Sequence, residues 1–485
     1  MAASYPPTTS QAHQDHLLTT FKDFSLSHGL TVFPPSTPNP HLSLATHAPV
    51  SLYPTLFPSI PFHTALSVQP TYNTLYARIS STPTFLTPLS AALSKVDTFI
   101  ASLFRLYTHI ESHGGPAQPL SLGLFRSDYM LHAPEGEDPV IHQVEFNTIA
   151  SSFGGLATQV SALHRHLVSS GAYPETPELT LDAIPRNPAA EGLAAGLAAA
   201  HEAYGATSRE KVVLFIVQPG ERNVFDQRWL EYALLENHGV RTHRLSLAEV
   251  GTHTKVGAGK ELLLATPQGK EVEVSTVYFR AGYGPDDYAG QHEWDMRLLL
   301  EESRAIKCPT VATQLAGSKK VQQVLAVPGE LEKLISDPEE IAQIRATFAA
   351  IYPLDKSTAG MEARRLAFEE PGRFVLKPQR EGGGNNIYRE KIPAFLKEIG
   401  EEMWEGYILM EMIETPPAEG VIVRNGECLR GGVISELGVY GAVLWRGEEV
   451  LVNTQCGWLL RTKGVESEEG GVAAGFGCVD GVCLV

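Results

Sequence analysis

Apolar residues recur at three- and four-residue steps between positions 70 and 113, where Leu89, Leu93, Val96, Phe99, Ile100, Leu103 and Leu106 predict helix. A further helical segment is expected near 14–28, inside Pro/Ser/Thr/His-rich stretches that fill the first 60 residues. Residues 121–132 and 139–150 read as two strands on either side of a turn-rich Ala-Pro-Glu-Gly-Glu-Asp-Pro. Residues 153–205 are Ala-rich and mostly helical, broken by prolines near 174–188. At Lys211 the pattern changes. A continuous strand to Val217 precedes a helix over Val224–Asn237, closed by Gly239, and a second strand over Val240–Leu245. That strand–helix–strand unit predicts a parallel sheet. A hairpin turning at Thr266-Pro-Gln-Gly follows, with Val272–Arg280 as its second arm, and then a helix over Met296–Ile306. Beyond it, helices are expected at 338–350 and 392–405. Strands are expected at 374–377, 406–412, 431–441, 443–452 and 458–463, as an antiparallel sheet.

A chain of 485 residues exceeds one core. The pattern divides it into 1–210, an α/β unit at 211–314, and 315–485. A formal net charge of −17 argues against a nucleic-acid or membrane-surface partner, either of which selects a basic face. An anionic substrate must therefore be met by a local cluster of Arg and Lys. Five cysteines without zinc spacing predict reduced thiols. With a polar N-terminus and no apolar stretch of membrane-span length, they point to the cytoplasm.

Residues 374–388 carry the most chemistry. The apolar residues Phe374–Leu376 lead into Lys377, then Pro378, Gln379, Arg380 and Glu381, then Gly382, Gly383 and Gly384, then Asn385 and Asn386. Three consecutive glycines let backbone N–H groups approach an anion closely. Lys377 supplies a point charge for phosphate. Glu381 and Asn386 are hard oxygen ligands of the kind that hold magnesium beside a nucleotide. The lysine precedes the glycines, so this is not the Walker pattern.

Other constellations are weaker. With period two, Gln143, Glu145 and Asn147 share one strand face, and a carboxylate and an amide so spaced can share one magnesium ion. Glu436 interrupts an apolar strand and needs a partner, which a ribose, an adenine amine or a buried Arg or Lys would supply. Arg461 and Lys463 fall on one face and repel unless anions lie between them, the alternative being two solvated charges on an edge strand. Arg126 and Arg280 end apolar strands, and Glu221-Arg222-Asn223 opens the loop after a parallel strand, where ligands bind in open α/β sheets. Arginines at strand ends fit recognition of carboxylates. No Ser–His–acid pattern or metal-binding His pair occurs, so positioning and charge neutralisation around phosphoryl transfer are indicated over covalent catalysis.

Taken together, Ala-Thr-Gln-Leu-Ala-Gly-Ser-Lys-Lys-Val-Gln-Gln (312–323) and the 374–388 run make the chain resemble eukaryotic glutathione synthetases, ATP-grasp ligases, of the fungal type. The likeness runs from about Arg126 to the C-terminus and is weaker over the first hundred residues. It implies an α/β (α+β) ATP-grasp fold with an inserted parallel-sheet substrate domain, a glycine-rich lid at about 355–410 and a C-terminal Gly/Ala-rich loop. It implies ATP-dependent joining of γ-glutamylcysteine to glycine through an acyl phosphate, by a homodimer. Magnesium would be held by Glu145, Asn147 and Glu381. ATP would contact Glu145, Lys319, residues 377–386, Tyr388, Met410, Glu411, Met412, Ile413, Glu436, Lys463 and Glu469. The dipeptide would contact Arg126, Ile149, Ala150, Ser151, Ser152, Glu221, Arg222, Asn223, Gln227, Arg280, Ala281, Gly282, Tyr283, Arg461, Val472 and Ala473. Arg126, Lys377 and Arg461 would be the catalytic groups. Ala150, Ala281 and Glu469 depart from residues common in the family. A related ligase using another amine such as β-alanine, a kinase that stops at phosphorylation, and a non-catalytic ATP-binding scaffold are the competing readings. Val472-Ala473-Ala474 matches the glycine-using pattern.

Overall fold

The run Val439–Trp445 has no polar face because helices cover its sheet on both sides. Val439, Val443 and Trp445 enter one core with Phe62, Tyr72 and Tyr76 of the helix Ser59–Ser80. Tyr440, Ala442 and Leu444 enter the opposite core with Leu156 and Val160 of the helix Gly154–Ser169 and Leu193 and Leu197 of the helix Ala189–Ala203. The computed structural model describes residues 5–34, 44–467, 472 and 477–485.

That run lies in the strand Glu427–Arg446, which forms a hairpin with Glu449–Gly464. Leu120–His132 lies antiparallel along its other edge and pairs in turn with Val140–Asn147. Ile306–Cys308 joins the start of Leu120–His132 in parallel. Glu271–Phe279, Lys211–Ile216 and Thr242–Leu245 continue outward, each parallel to its neighbour. Lys211–Ile216 and Thr242–Leu245 are linked by the helix Val224–His238, which ends on Gly239 at φ 66°. The parallel strands at 211–308 thus continue into the antiparallel ones in a single sheet of 13 strands.

A second sheet of four strands has the order Ile351–Pro353, Tyr407–Glu411, Phe374–Pro378, Ile387–Tyr388. One face packs on the helices Thr358–Glu369 and Ile392–Ile399 around Phe374, Leu376, Leu396, Trp404 and Leu409. The other face carries Val375 and Met410.

Two expectations are corrected. The helix expected at 296–306 is Gln291–Glu302, and Ile306 belongs to a strand. Its polar first turn, capped by Glu293 on the Gly290 N–H, hides the start from an apolar-periodicity reading. The three strands expected between 431 and 463 are one hairpin turning at Gly447 (φ 58°), because Gly441 sits in mid-strand against the Asn73 side chain. No helix among the described residues is long and apolar enough to cross a membrane.

Candidate active site

Between the two sheets lies a cleft of about 480 Å³. Strand alternation aims its walls. In Phe374–Pro378, Phe374 and Leu376 point into the helix-covered core, so Val375 and Lys377 point into the cleft. Val375, Met410, Met412, Ile413 and Tyr388 form an apolar wall at one end, with Met130 and Ile434 also lining the cleft.

Charges gather deeper in. Lys319 Nζ lies 3.0 Å from Glu145 Oε2 and 3.2 Å from Glu381 Oε1. Lys377 donates to the Val144 carbonyl at 2.8 Å. Burial opposes ionisation of Glu145, yet Lys319, Lys377 and Arg461 hold its carboxyl well below the ordinary range. Burial pushes Glu381 up to about 7, with Lys319 opposing the rise and Glu145 adding to it. Two carboxylates sharing one ammonium behave as a unit in which one ionises readily and its neighbour resists. Burial lowers Lys377, against the pull of Glu145. Glu381 Oε2 is buried without a partner among the described residues.

The predicted alternation over 143–147 is broken by a bulge. Asp128 faces Glu145 while Tyr129 faces Gln143, which leaves Val144 over. Glu145 and Asn147 line the cleft, whereas Gln143 turns to the other face and donates to Ser127 Oγ at 2.8 Å. The expectation that Gln143 shares their face is therefore corrected.

Arg126 and Arg461 meet at Asp128. Arg126 Nε and Nη2 lie 2.6 and 2.8 Å from the two Asp128 oxygens, and Arg461 Nη2 lies 2.9 Å from Oδ2. Arg461 Nη2 also pairs with Glu436, so a protein arginine is the partner that the half-buried Glu436 requires. Arg126 Nη1 donates to the Ser152 carbonyl at 3.3 Å, and Arg461 Nε and Nη1 carry no hydrogen bond among the described residues.

The loop 149–153 is held from three sides. Arg280 donates to the Ala150 carbonyl at 2.6 Å, and Tyr440 donates to Ser152 O at 2.5 Å. Asp226 accepts from the N–H groups of Phe153, Gly155 and Leu156 at 2.7, 2.8 and 3.2 Å. Ala150 and Phe153 take φ of 52° and 75°, a strain that this anchoring sustains beside the cleft. Ser151 Oγ and Asn223 Oδ1 are buried without a partner among the described residues.

Among the residues expected from sequence, the cleft brings together Arg126, Glu145, Asn147, 149–152, Glu221, Asn223, Arg280, Tyr283, Lys377, 381–383, Asn386, Tyr388, 410–413, Glu436, Arg461, Lys463 and Val472. Lys319 reaches it through the two carboxylates. Others sit behind it. Gln379 accepts from the Lys320 N–H at 3.1 Å, and Arg380 pairs with Asp97. Asn385 is exposed and donates to the Gly383 carbonyl at 2.7 Å. Pro378, Gly384, Ala281 and Gly282 do not line it. Arg222 Nε donates to the Phe33 carbonyl at 3.0 Å, and Gln227 accepts from Arg244 at 2.6 Å. Glu469 and Ala473 lie outside the described residues. Asp128 and Asp226 are site residues that the motifs of the sequence do not single out. Period two from Arg126 places Asp128 on the same face, a signal that was present; the reach of Asp226 across 73 residues to Phe153 left none.

A model of the family described as "Eukaryotic glutathione synthase, ATP binding domain" matches residues 11–484. The chain is 39% identical over 487 residues to the glutathione synthetase large chain of Schizosaccharomyces pombe, covering 96% of each. It is 42% identical over 440 residues to the glutathione synthetase of Homo sapiens, covering 90% of each. Its fold matches, at TM-score 0.78 and 22% identity over 100% of both chains, that of a glutathione synthetase-like effector from Globodera pallida in apo form.

Proposed function

The chain belongs to the eukaryotic glutathione synthase family, and on that premise we propose how its cleft performs the ligation. The protein is an ATP-dependent ligase that joins γ-glutamylcysteine to glycine and gives glutathione, ADP and phosphate. The observation that carries the residue roles is the convergence of Glu145 from one sheet and Glu381 from the loop leaving the other on Lys319, with Lys377 beside them.

The apolar wall of Val375, Met410 and Ile413 takes the adenine. Lys319, Lys377 and the backbone of Gly382–Gly384 take the phosphates. The donor set fits a magnesium ion. Glu381 Oε2 has no partner among the described residues, a lysine ammonium already stands between the two carboxylates, and Asn147 adds a hard amide oxygen. Glu145, Asn147 and Glu381 would hold the magnesium ion, which would supply neutralisation of the charge that develops during phosphoryl transfer. Arg461, whose Nε and Nη1 carry no hydrogen bond among the described residues, and Arg126, whose Nη1 is held only by the Ser152 carbonyl, orient the dipeptide carboxylates. Ser151, Asn223 and Arg280 face the rest of the dipeptide. The cysteinyl carboxylate attacks the γ-phosphorus and ADP leaves. The glycine amine then attacks the acyl phosphate and phosphate leaves. The glycine loop, closed against Tyr283, excludes water from that intermediate.

A homodimer, and a cytoplasmic location for its five unpaired thiols, complete the reading. The test is phosphate release from purified protein with Mg-ATP and γ-glutamylcysteine, with and without glycine, with products identified by mass. Glycine-dependent release with the glutathione mass supports it. Release without glycine points to a kinase or a leaky acyl phosphate, and release only with β-alanine identifies the homologous ligase.

A further inference from the structure

One buried carboxylate touches Arg126, Arg461 and Asn147 together. Asp128 is fully buried. Its Oδ1 takes Arg126 Nε, and its Oδ2 takes Arg126 Nη2, Arg461 Nη2 and, at 3.0 Å, the Asn147 amide nitrogen. Both oxygens are spent on protein donors, so Asp128 has nothing left for a ligand. We propose that Asp128 is a positioning residue that fixes both substrate arginines and the metal-binding amide in one mutual arrangement. The inference rests on the ligase reading.

The backbone dictates this arrangement. Arg126 and Asp128 are two apart on one strand and share its face. Arg126 sits opposite Asn147, Asp128 opposite Gly438, and Glu436 opposite Arg461. Gly438 is required there. A Cβ on it would lie 2.6 Å from Asp128 Oδ1 and 2.7 Å from Arg126 Cδ. The missing side chain is the space in which the Arg126–Asp128 pair lies flat against the sheet.

The chemistry follows from donor counting. A carboxylate only accepts, so the Asn147 atom facing it must be the NH₂, and the Asn147 carbonyl oxygen is left for the cation. Two guanidinium groups meeting at one point repel unless a negative charge lies between them, and Asp128 supplies it. Removing it frees both arginines to move apart and frees the Asn147 amide to flip.

Two variants test this. Asp128→Asn removes the charge and offers an NH₂ that draws the Asn147 oxygen away from the cleft. Gly438→Ala keeps the charge and displaces the pair. For each, KM for γ-glutamylcysteine, the half-saturating Mg²⁺ concentration and kcat are measured. Calorimetric binding of γ-glutamylcysteine alone and of ADP without Mg²⁺ gives readouts independent of turnover, and thermal unfolding reports the fold. The expected result is a rise of about 10- to 100-fold in both the dipeptide KM and the Mg²⁺ requirement. ADP binding, which uses the other sheet, holds. Unmoved dipeptide and Mg²⁺ terms overturn the proposal. A uniform loss that includes ADP binding and the unfolding temperature also overturns it, because Asp128 would then be only structural. If wild-type protein makes no tripeptide, the ligase reading fails, while dipeptide binding by the variants still decides the role of Asp128.

Discussion

Lys319 Nζ stands 3.2 Å from Glu381 Oε1 while holding Glu145 at 3.0 Å on its other side, so a single ammonium keeps two facing carboxylates from repelling each other. Lys319→Met leaves that pair without a counter-charge. Breaking a buried ion pair on one side costs about 3 kcal/mol or more. The variant is expected to unfold at lower temperature than wild type in EDTA, and Mg²⁺ is expected to recover part of the difference by taking the vacated position between the carboxylates. Thermal scans with and without Mg²⁺ measure both. Equal stability in EDTA would show that Lys319 carries no such load.

Arg380 separates a latch from a nucleotide contact. Its Nη1 pairs with Asp97, which also caps the helix Thr98–Ser112 by accepting from the Ile100 N–H at 2.9 Å. A latch predicts that Arg380→Gln and Asp97→Asn weaken ATP binding alike, by roughly fivefold or less for a partly exposed pair, and that the double variant is no worse than either. Fluorescence titration of ATP on the four proteins gives the cycle. Additive losses, with Arg380→Gln far the larger, would return Arg380 to the phosphates.

Much of this site could be read from the chain because its parts are local. Lys377 through Asn386 are contiguous, and Glu145 and Asn147 need only a strand. What sequence could not give depends on register. The bulge that turns Gln143 away is a property of its pairing with Asp128 and Tyr129, not of the residues 143–147 themselves. The partner of Glu436 was open between a nucleotide and a basic side chain until the Glu436–Arg461 register chose the latter. Arg380 and Gln379 lie inside the most specific motif of the chain, yet their side chains anchor the loop from behind, which the alternation after Pro378 does not reveal. The expected break after 441 falls at a mid-strand glycine, which looks like a turn until the side chain that fills its space, Asn73, is placed.

His164 makes stability depend on acid. The ring is buried between Ser51 and Tyr173, with Nδ1 2.7 Å from the Tyr173 hydroxyl, and Gly481 packs on its edge. The nearby Asp480 carboxyl is occupied by Ser51, Thr55 and Thr462 and is itself raised by burial. Burial lowers His164 to about 3. An unfolded histidine takes up its proton near 6.5, so the unfolded chain binds a proton across that window that the folded chain refuses. The stability contributed here is whole above about pH 6.5 and drains as the pH falls toward 3, by on the order of a few kcal/mol. His164→Gln is expected to lose stability at pH 8 but to show a shallower decline between pH 6.5 and 4.5. Parallel decline in both proteins would assign the acid sensitivity elsewhere, His142 and His201 being the next groups that burial depresses.

Gly382 joins the glycine loop to the dipeptide side. It takes φ of 94°, where an L side chain is strained, and a Cβ on it would lie 3.2 Å from the Tyr283 ring. Tyr283 is itself fixed, its hydroxyl accepting from Gln218 at 3.1 Å and its N–H donating to Asp287 at 3.1 Å. The ring cannot retreat freely, so Gly382→Ala must open the loop. A loop held open admits water to the acyl phosphate. The expected signature is therefore uncoupling in addition to slower turnover. The variant should release phosphate without glycine at a larger share of its total rate than wild type does, and its kcat for glutathione should fall about tenfold or more for roughly 1 to 3 kcal/mol of local strain. Gly383→Ala shares the strain, at φ of 71°, but meets nothing within 4 Å, and it separates the two causes. If Gly383→Ala leaks phosphate as much as Gly382→Ala does, loop strain alone explains the result and contact with Tyr283 is irrelevant. If only Gly382→Ala leaks, the seal is the Gly382–Tyr283 contact.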